Sequence, residues 1–339
     1  MLSTLVVIVA AAVGAAADEH LERYRELRPG MGSTFEIIAY APDAATAQRG
    51  LEAAFARIEH LNQVFSDYDS ESEACRLSHA SPMPAAVSVS ADMFAVLEYS
   101  TQLSRATDGA FDVTVGPISR LWRRARRQKQ LPAPDRLREA MAGVGYQHLE
   151  LDASGRKARL AVPGMRLDFG GVAVGFAVDE ALMLLKQHGL TRVLVNGSGD
   201  MALGEPPPGE AGWRIGVAPL EPSQPPSRFL RLAHCGVSTS GDAWQFVEID
   251  KQRYSHIVDP KTGLGLTTRS SVTIIAPTGM AADGLATAVS VLGVEQGLAL
   301  VERTCGAACL MVCVEGEKPQ VHESRDWKKH EISSALPPN

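Results

Sequence analysis

A strand-like run from Arg192 to Asn196 leads into Gly197-Ser198-Gly199-Asp200-Met201-Ala202, and the residues after it narrow the choice of fold. Gly-x-Gly-x-x-Ala behind a strand matches the dinucleotide fingerprint. That fingerprint works only when a helix starts at the glycines and turns its N-terminal amides toward a pyrophosphate. Here Leu203-Gly204-Glu205-Pro206-Pro207-Pro208 follows. Consecutive prolines lack the donors a helix needs and clash with its preceding turn. A nicotinamide-type Rossmann site is ruled against at this position. The chain also carries no Gly-x-x-x-x-Gly-Lys-Ser/Thr phosphate loop and no His-Glu-x-x-His zinc helix.

Elsewhere short strand-like runs interleave with segments of helical spacing. Met31 to Tyr40 reads as a first strand, and 43–64 as a helix with Leu51, Ala54, Phe55, Ile58, Leu61 and Val64 on one side. A second helix fits 91–106. Residues 107–122 read as irregular with a turn at Gly116-Pro117, and 123–145 as polar and mostly helical. Short strands are expected near 147–151, 157–162 and 165–168, with a helix at about 175–188. Strands recur near 213–217, 229–240 and 244–250. A helix then carries Asp283, another lies near 295–304, and 308–314 is a final strand before a frayed tail from Ser333. This order predicts an α+β fold with a largely antiparallel central sheet and flanking helices.

Length and composition set the outer limits. The 339 residues are 45% hydrophobic and 21% charged, an ordinary globular balance. The net charge of −6 gives no footprint for nucleic acid. The basic run from Arg123 to Lys129 reads as a solvated helix end or surface loop. Met1 to Ala17 carries no charged side chain, and its apolar stretch ends in small residues before Asp18. Residues 1–17 are therefore expected to be a signal peptide or N-terminal membrane anchor, with 18–339 as a single domain. The expected location is exported, periplasmic or attached to the outer face of the inner membrane. Five cysteines leave at least one unpaired within the chain. Cys309 and Cys313 sit about 13 Å apart if their segment is a strand, too far to share a zinc ion or a disulfide. They read as buried apolar residues.

Three stretches suggest chemistry. Asp283 and Thr287 are four residues apart in an Ala-rich helical segment, so both oxygens fall on one face. A carboxylate and a hydroxyl converging there suit a hard cation such as Mg²⁺. The alternative is that Asp283 caps or charges the helix start and Thr287 is an ordinary half-buried residue. Asp168-Phe169-Gly170-Gly171 before a helix allows close backbone approach and an anion-favouring helix N-terminus, or simply a tight turn. His256, between strand-like residues and the Pro260-to-Gly263 turn, has the chemistry of a general base or a structural role.

In this order the stretches resemble the FAD:protein FMN transferase family, the ApbE-type flavin transferases. The matching blocks are Met31 to Phe35, Phe65 to Glu73, Gly109 to Pro117 and Asp168 to Asp179. Val195 to Asp200, Ser238 to Gly241, Tyr254 to Gly263 and Ala282 to Thr287 complete them, and together they span about 30–315. The resemblance implies Mg²⁺-dependent transfer of the FMN half of FAD to a Ser or Thr hydroxyl of an acceptor protein, with release of AMP. Met31, Tyr68, Ala110, Phe111, Asp112, Asp168, Val174 and Ile257 would line the FAD site. Gly171, Asp283 and Thr287 would hold Mg²⁺, and His256 would be the base. Acceptors would be flavoproteins with an FMN-binding Ser/Thr motif, of the kind found in membrane electron-transfer complexes. Family members usually carry Lys, sometimes Glu, where Val174 stands, which puts FAD affinity in question. Two alternatives share the site: a Mg²⁺-dependent FAD pyrophosphatase in which water attacks, and a non-catalytic exported FAD-binding protein.

Overall fold

The computed structural model describes residues 20–333 except 222, 243, 244 and 317. The expected leader, 1–17, and the tail beyond 333 lie outside the described residues. The helices are α1 (Ala44–Phe65), α2 (Glu73–His79), α3 (Ala91–Ala106), α4 (Gly116–Gln128), α5 (Pro134–Met141), α6 (Ala173–Gln187) and α7 (Gly279–Glu302).

Eight strands form one sheet, in the spatial order Glu22–Gly30, Ser33–Ala41, Val193–Gly197, Asp200–Leu203, Cys235–Gly241, Ser270–Ala276, Ala308–Glu315 and Lys318–Glu323. Every neighbouring pair is antiparallel. The expected α+β class with an antiparallel sheet is what the chain forms. The Gly-x-Gly run is a hairpin turn. Ser198 and Gly199 take φ of 57° and 112°, and the chain reverses into Asp200–Leu203 with no helix following. Both faces of the sheet are covered. Side chains alternate along a strand, so Val193, Val195, Ile274, Cys309 and Met311 join the core beneath α1, α6 and α7. Leu194, Ile275, Ala308 and Leu310 point the other way, onto Trp213, Leu230 and Trp327. That double cover explains why all of Ser270–Ala276 is buried.

A third cluster sits at one end. Ile118, Trp122 and Ala125 of α4 pack on Val247, Ile249 and Val258, around the hairpin Phe246–Ile249/Gln252–Ser255. The Trp122 indole N–H donates to the Gly263 carbonyl at 2.8 Å, and its ring lies 5.2 Å from Tyr254. This contact locks α4 against the hairpin that carries His256.

Helices α6 and α7 cross almost backbone to backbone. A Cβ on Gly175 would lie 2.4 Å from the Gly279 carbonyl oxygen and 2.7 Å from Asp283 Cβ, and one on Gly279 would lie 2.7 Å from the Gly175 carbonyl oxygen. Gly175→Ala is therefore expected to destabilise by about 1–3 kcal/mol, as overpacked cores do. Urea unfolding checks it; an unchanged midpoint would mean that the crossing has slack.

Several local expectations differ from the structure. Glu22–Gly30 is a strand although its sequence is polar, because as the edge strand it answers to water on its outer side. Pro117 opens α4 instead of marking a turn, since a helix tolerates proline in its first turn. Residues 165–168 make only a single bridge, Arg166 to Val115. The 308–314 strand is followed by two more, Lys318–Glu323 and Glu331–Ile332. The Asp283 helix and the one expected near 295 run together as α7, kinked at Gly293, whose φ is 74°.

Candidate active site

A cleft of about 620 Å³ opens where α4, the start of α6, the Met31 turn, the loop after α1 and the segment after Gln252–Ser255 converge. It is large enough for a nucleotide-sized ligand. Met31, Ala110, Phe111 and Ile257 form apolar wall, and Val174 continues it from the first turn of α6. Val174 lies against the hairpin turn, where a Cβ on Gly197 would fall 2.6 Å from its Cγ1. Tyr68 stands at the rim with 78% of its surface exposed, unusual for a large aromatic.

Two of the expected carboxylates have different jobs. Asp112 is buried, and its oxygens accept from the Thr114 N–H and hydroxyl and from the Tyr146 N–H at 2.7–2.8 Å. It ties the 110–115 turn together, so the wall depends on it structurally. Burial raises its pKa. Asp168 accepts from the Gly170 N–H at 2.9 Å and from Arg123 at 3.2 Å, shaping the turn into α6. The first turn of α6, with no side-chain cap, lines the cleft through Ala173 and Val174. The Ala173 and Gly175 amides already donate to Phe169 O and Asp283, so it is the helix dipole that favours an anion there.

His256 lines the cleft just after Gln252–Ser255. Its Nδ1 lies 3.1 Å from the Gln245 carbonyl oxygen, and its own backbone N–H donates to the same oxygen at 3.0 Å. A carbonyl only accepts, so Nδ1 carries the hydrogen and neutral Nε2 keeps its lone pair. His256 is exposed at the cleft wall, yet protein crowds its imidazole closely enough to cost it hydration. That loss of hydration lowers the pKa below the ordinary imidazole value, and the Arg126 charge adds to it; the Gln245 hydrogen bond and Asp168 and Asp242 oppose the shift.

Gly171, Thr287 and Asp283 come together from distant sequence. A Cβ on Gly171 would lie 2.7 Å from Thr287 Oγ1, so the two are in contact at the cleft floor. Asp283 lies beneath, 3% exposed, with Oδ2 accepting from the Gly175 N–H at 3.1 Å. The helix cap of α7 is Thr278, which leaves Asp283 free of that duty. Burial holds its pKa well above the carboxylate range, and the neighbouring Asp200 charge adds to the shift. Asp200 is itself raised to about 7 by burial, against a hydrogen bond from Ser238 at 2.5 Å.

These donors fit a hard cation. They are oxygens, and no Lys or Arg forms an ion pair with Asp283 among the described residues. Ser290 donates back to Ala286 along the helix, whereas among the described residues no such bond engages the Thr287 hydroxyl. Among the described residues no trio of His, Cys, Asp or Glu could hold a metal alone. Mg²⁺ needs no such cage, because it commonly takes one or two carboxylates and completes its shell with substrate phosphates and water.

The basic run is the clearest correction. Arg124, Arg127 and Lys129 are exposed as expected, but Arg123 and Arg126 turn inward and line the cleft. Arg123 pairs with Asp67 and Asp168, and its guanidinium lies 4.5 Å from the centre of the Tyr68 ring. The available signal was spacing: Ser119, Trp122, Arg123 and Arg126 share one helix face, and the tryptophan marks it as the inner one. Asp67 and Gln245 were also missed; no local pattern marks either.

An antiparallel α+β scaffold with an imidazole facing a nucleotide-sized cleft, an anion-favouring helix start beside it and buried oxygens beneath describes a class of enzyme-like proteins built to act on a phosphate-bearing ligand. The ApbE family model matches residues 31–311, and the chain belongs to the ApbE family. A FAD:protein FMN transferase of Haemophilus influenzae is 32% identical over 295 residues, which span 83% of this chain and 84% of that protein. The apo flavinyl transferase ApbE of Pseudomonas stutzeri matches with a TM-score of 0.80 at 32% identity, over 91% of this chain and 97% of that one. The flavin transferase ApbE of Vibrio cholerae matches with a TM-score of 0.82 at 28% identity, over 91% and 99%.

Proposed function

We propose that the protein transfers the FMN half of FAD to a Ser or Thr hydroxyl of an acceptor protein and releases AMP. Family membership and the names of the relatives support flavin transfer. The observation that carries the chemistry is His256, with Nδ1 tethered to Gln245 and a basic Nε2 in the wall of the cleft. The apolar wall and Tyr68 suit the flat isoalloxazine ring, and the start of α6 suits the pyrophosphate. His256 Nε2 takes the proton from the acceptor hydroxyl. The oxygen bonds to the flavin-side phosphorus as the phosphorus–oxygen bond to AMP breaks. Gly171 O, Asp283 and Thr287 are the proposed Mg²⁺ ligands, and the ion would neutralise charge developing on the pyrophosphate.

Incubation with FAD, Mg²⁺ and a purified acceptor bearing an FMN-binding Ser/Thr motif should add one FMN to the acceptor and release one AMP. No adduct with any divalent metal would sink the proposal. Steady AMP release without acceptor would identify a pyrophosphatase instead. Residues 1–17 direct the chain across the inner membrane in this reading, where it meets acceptors of membrane electron-transfer complexes; cell fractionation tests that placement.

The acid limb of the pH–rate profile is a separate check. A base must be neutral to act, and burial and Arg126 lower the His256 pKa. Activity should therefore rise with pH through an apparent pKa below the ordinary value of about 6.5. A limb at or above 7 would assign the base to another group.

A further inference from the structure

Among the residues lining the cleft, the permanently charged cations are Arg123 and Arg126, both on α4. Their surroundings differ. Arg123 is neutralised by Asp67 and Asp168. Arg126 hydrogen-bonds the neutral Gln245 side chain at 3.2 Å and forms no ion pair among the described residues. Gln245 thus accepts from both Arg126 and His256, through its side-chain and backbone oxygens respectively. One residue therefore holds an uncompensated guanidinium and the imidazole on the same side of the cleft. The packing of Trp122 and Ala125 on the His256 hairpin fixes α4 in this position. Other charged side chains along the wall are acidic, Asp67, Asp112 and Asp168. A ligand with a doubly negative pyrophosphate needs positive charge that the wall otherwise lacks.

We propose that Arg126 is a catalytic residue that contacts the phosphoryl group transferred next to His256. The inference rests on the FMN-transfer reading of the cleft. A guanidinium presents a planar fork of donors matched to phosphate oxygens. Placed there it holds the flavin-side phosphate within reach of the base and stabilises charge that grows on its oxygens as the acceptor oxygen bonds. It serves a second end as well, because a cation beside His256 keeps the imidazole unprotonated and ready to accept a proton. The charged groups facing that ring are Arg126 from α4, Asp168 from the turn before α6, and Asp242 at the end of Cys235–Gly241, where Arg253 pairs with it.

Arg126→Gln and Arg126→Lys test the proposal in the full-length protein. Binding comes first, read by quenching of flavin fluorescence. The Gln variant should bind FAD about 10-fold more weakly and riboflavin, which has no phosphate, unchanged. Equal FAD affinity would overturn the phosphate contact whether or not the protein proves to be a transferase. In FMN transfer, kcat should fall about 10²-fold or more in the Gln variant, and its acid limb should move to higher pH. Arg126→Lys should keep the wild-type acid limb, since the charge remains, while recovering only part of kcat. Unchanged kcat and acid limb in the Gln variant, with wild-type protein active, would overturn Arg126 alone; inactive wild-type protein would overturn the transfer reading. A matching loss of riboflavin and FAD binding would show that Arg126 only supports the wall.

Discussion

His256→Gln is expected to lower the rate of FMN transfer about 10²–10⁴-fold, the range a positioned general base contributes. Gln retains a side-chain amide that can donate to the Gln245 carbonyl, so the local hydrogen bond survives. What disappears is the basic lone pair of Nε2. FAD affinity should stay within about twofold, because the ring supplies one edge of a large cleft that Tyr68, Ile257, Phe111 and the start of α6 also line. Stopped-flow binding and single-turnover transfer separate the two effects. A large loss in FAD affinity with an unchanged chemical step would make His256 a binding residue. Partial recovery of rate at high pH in the variant would also be informative, since hydroxide or an ionised acceptor bypasses the missing base. Wild-type transfer by the variant would remove the assignment.

Much of this site was legible in the chain because its parts lie at element junctions with distinctive chemistry. The double glycine after Asp168 announces a turn into a helix, and α6 does start two residues beyond Gly171. Helical spacing put Asp283 and Thr287 on one face, and α7 bears that out. The antiparallel sheet followed from helices interleaved with many short strands, and the prolines after the Gly-x-Gly run spoke against a Rossmann site. What sequence could not supply was the meeting of α6 with α7. That contact depends on Gly175 and Gly279, which sit about a hundred residues apart and look like ordinary helix-weakening glycines until their backbones touch. The basic run failed for the opposite reason. Its charge suggested solvent throughout, yet the inner side of α4 sets Trp122 into the apolar cluster with Val247 and Val258 and turns two arginines beside it into the cleft. Apolar periodicity detects cores and misses charged walls. The edge strand Glu22–Gly30 escaped for a related cause, since edge strands have only one neighbour to satisfy.

Asp283→Asn separates a cation ligand from a structural carboxylate by the sign of its effects. Asn has nearly the same volume, and its carbonyl oxygen can still accept from the Gly175 N–H. Only the charge goes. In metal-free protein that charge is a burden: Asp283 is buried, the half-buried Asp200 carboxylate repels it, and both pKa values are raised. A raised folded-state pKa means stability that is present below the unfolded value and lost as pH climbs through the folded one. For Asp200 the window runs from its ordinary value of 3.8 to about 7. Metal-free wild-type protein should therefore lose thermal stability between about pH 4 and pH 7, and the Asn variant should lose less. Added Mg²⁺ should raise the wild-type Tm most at the upper end of that window, where protons no longer compete for the oxygens, because a ligand bound only by the native state must stabilise it. The variant should show little Mg²⁺-dependent shift, and transfer should fall about 10²–10³-fold, corresponding to a few kcal/mol of lost charge stabilisation in the transition state. A structural aspartate predicts the reverse pattern: a variant destabilised in the absence of metal, an intact Mg²⁺ shift, and activity that falls only as far as folding does. Differential scanning fluorimetry across pH with EDTA or Mg²⁺ distinguishes the two, independently of whether an acceptor protein is at hand.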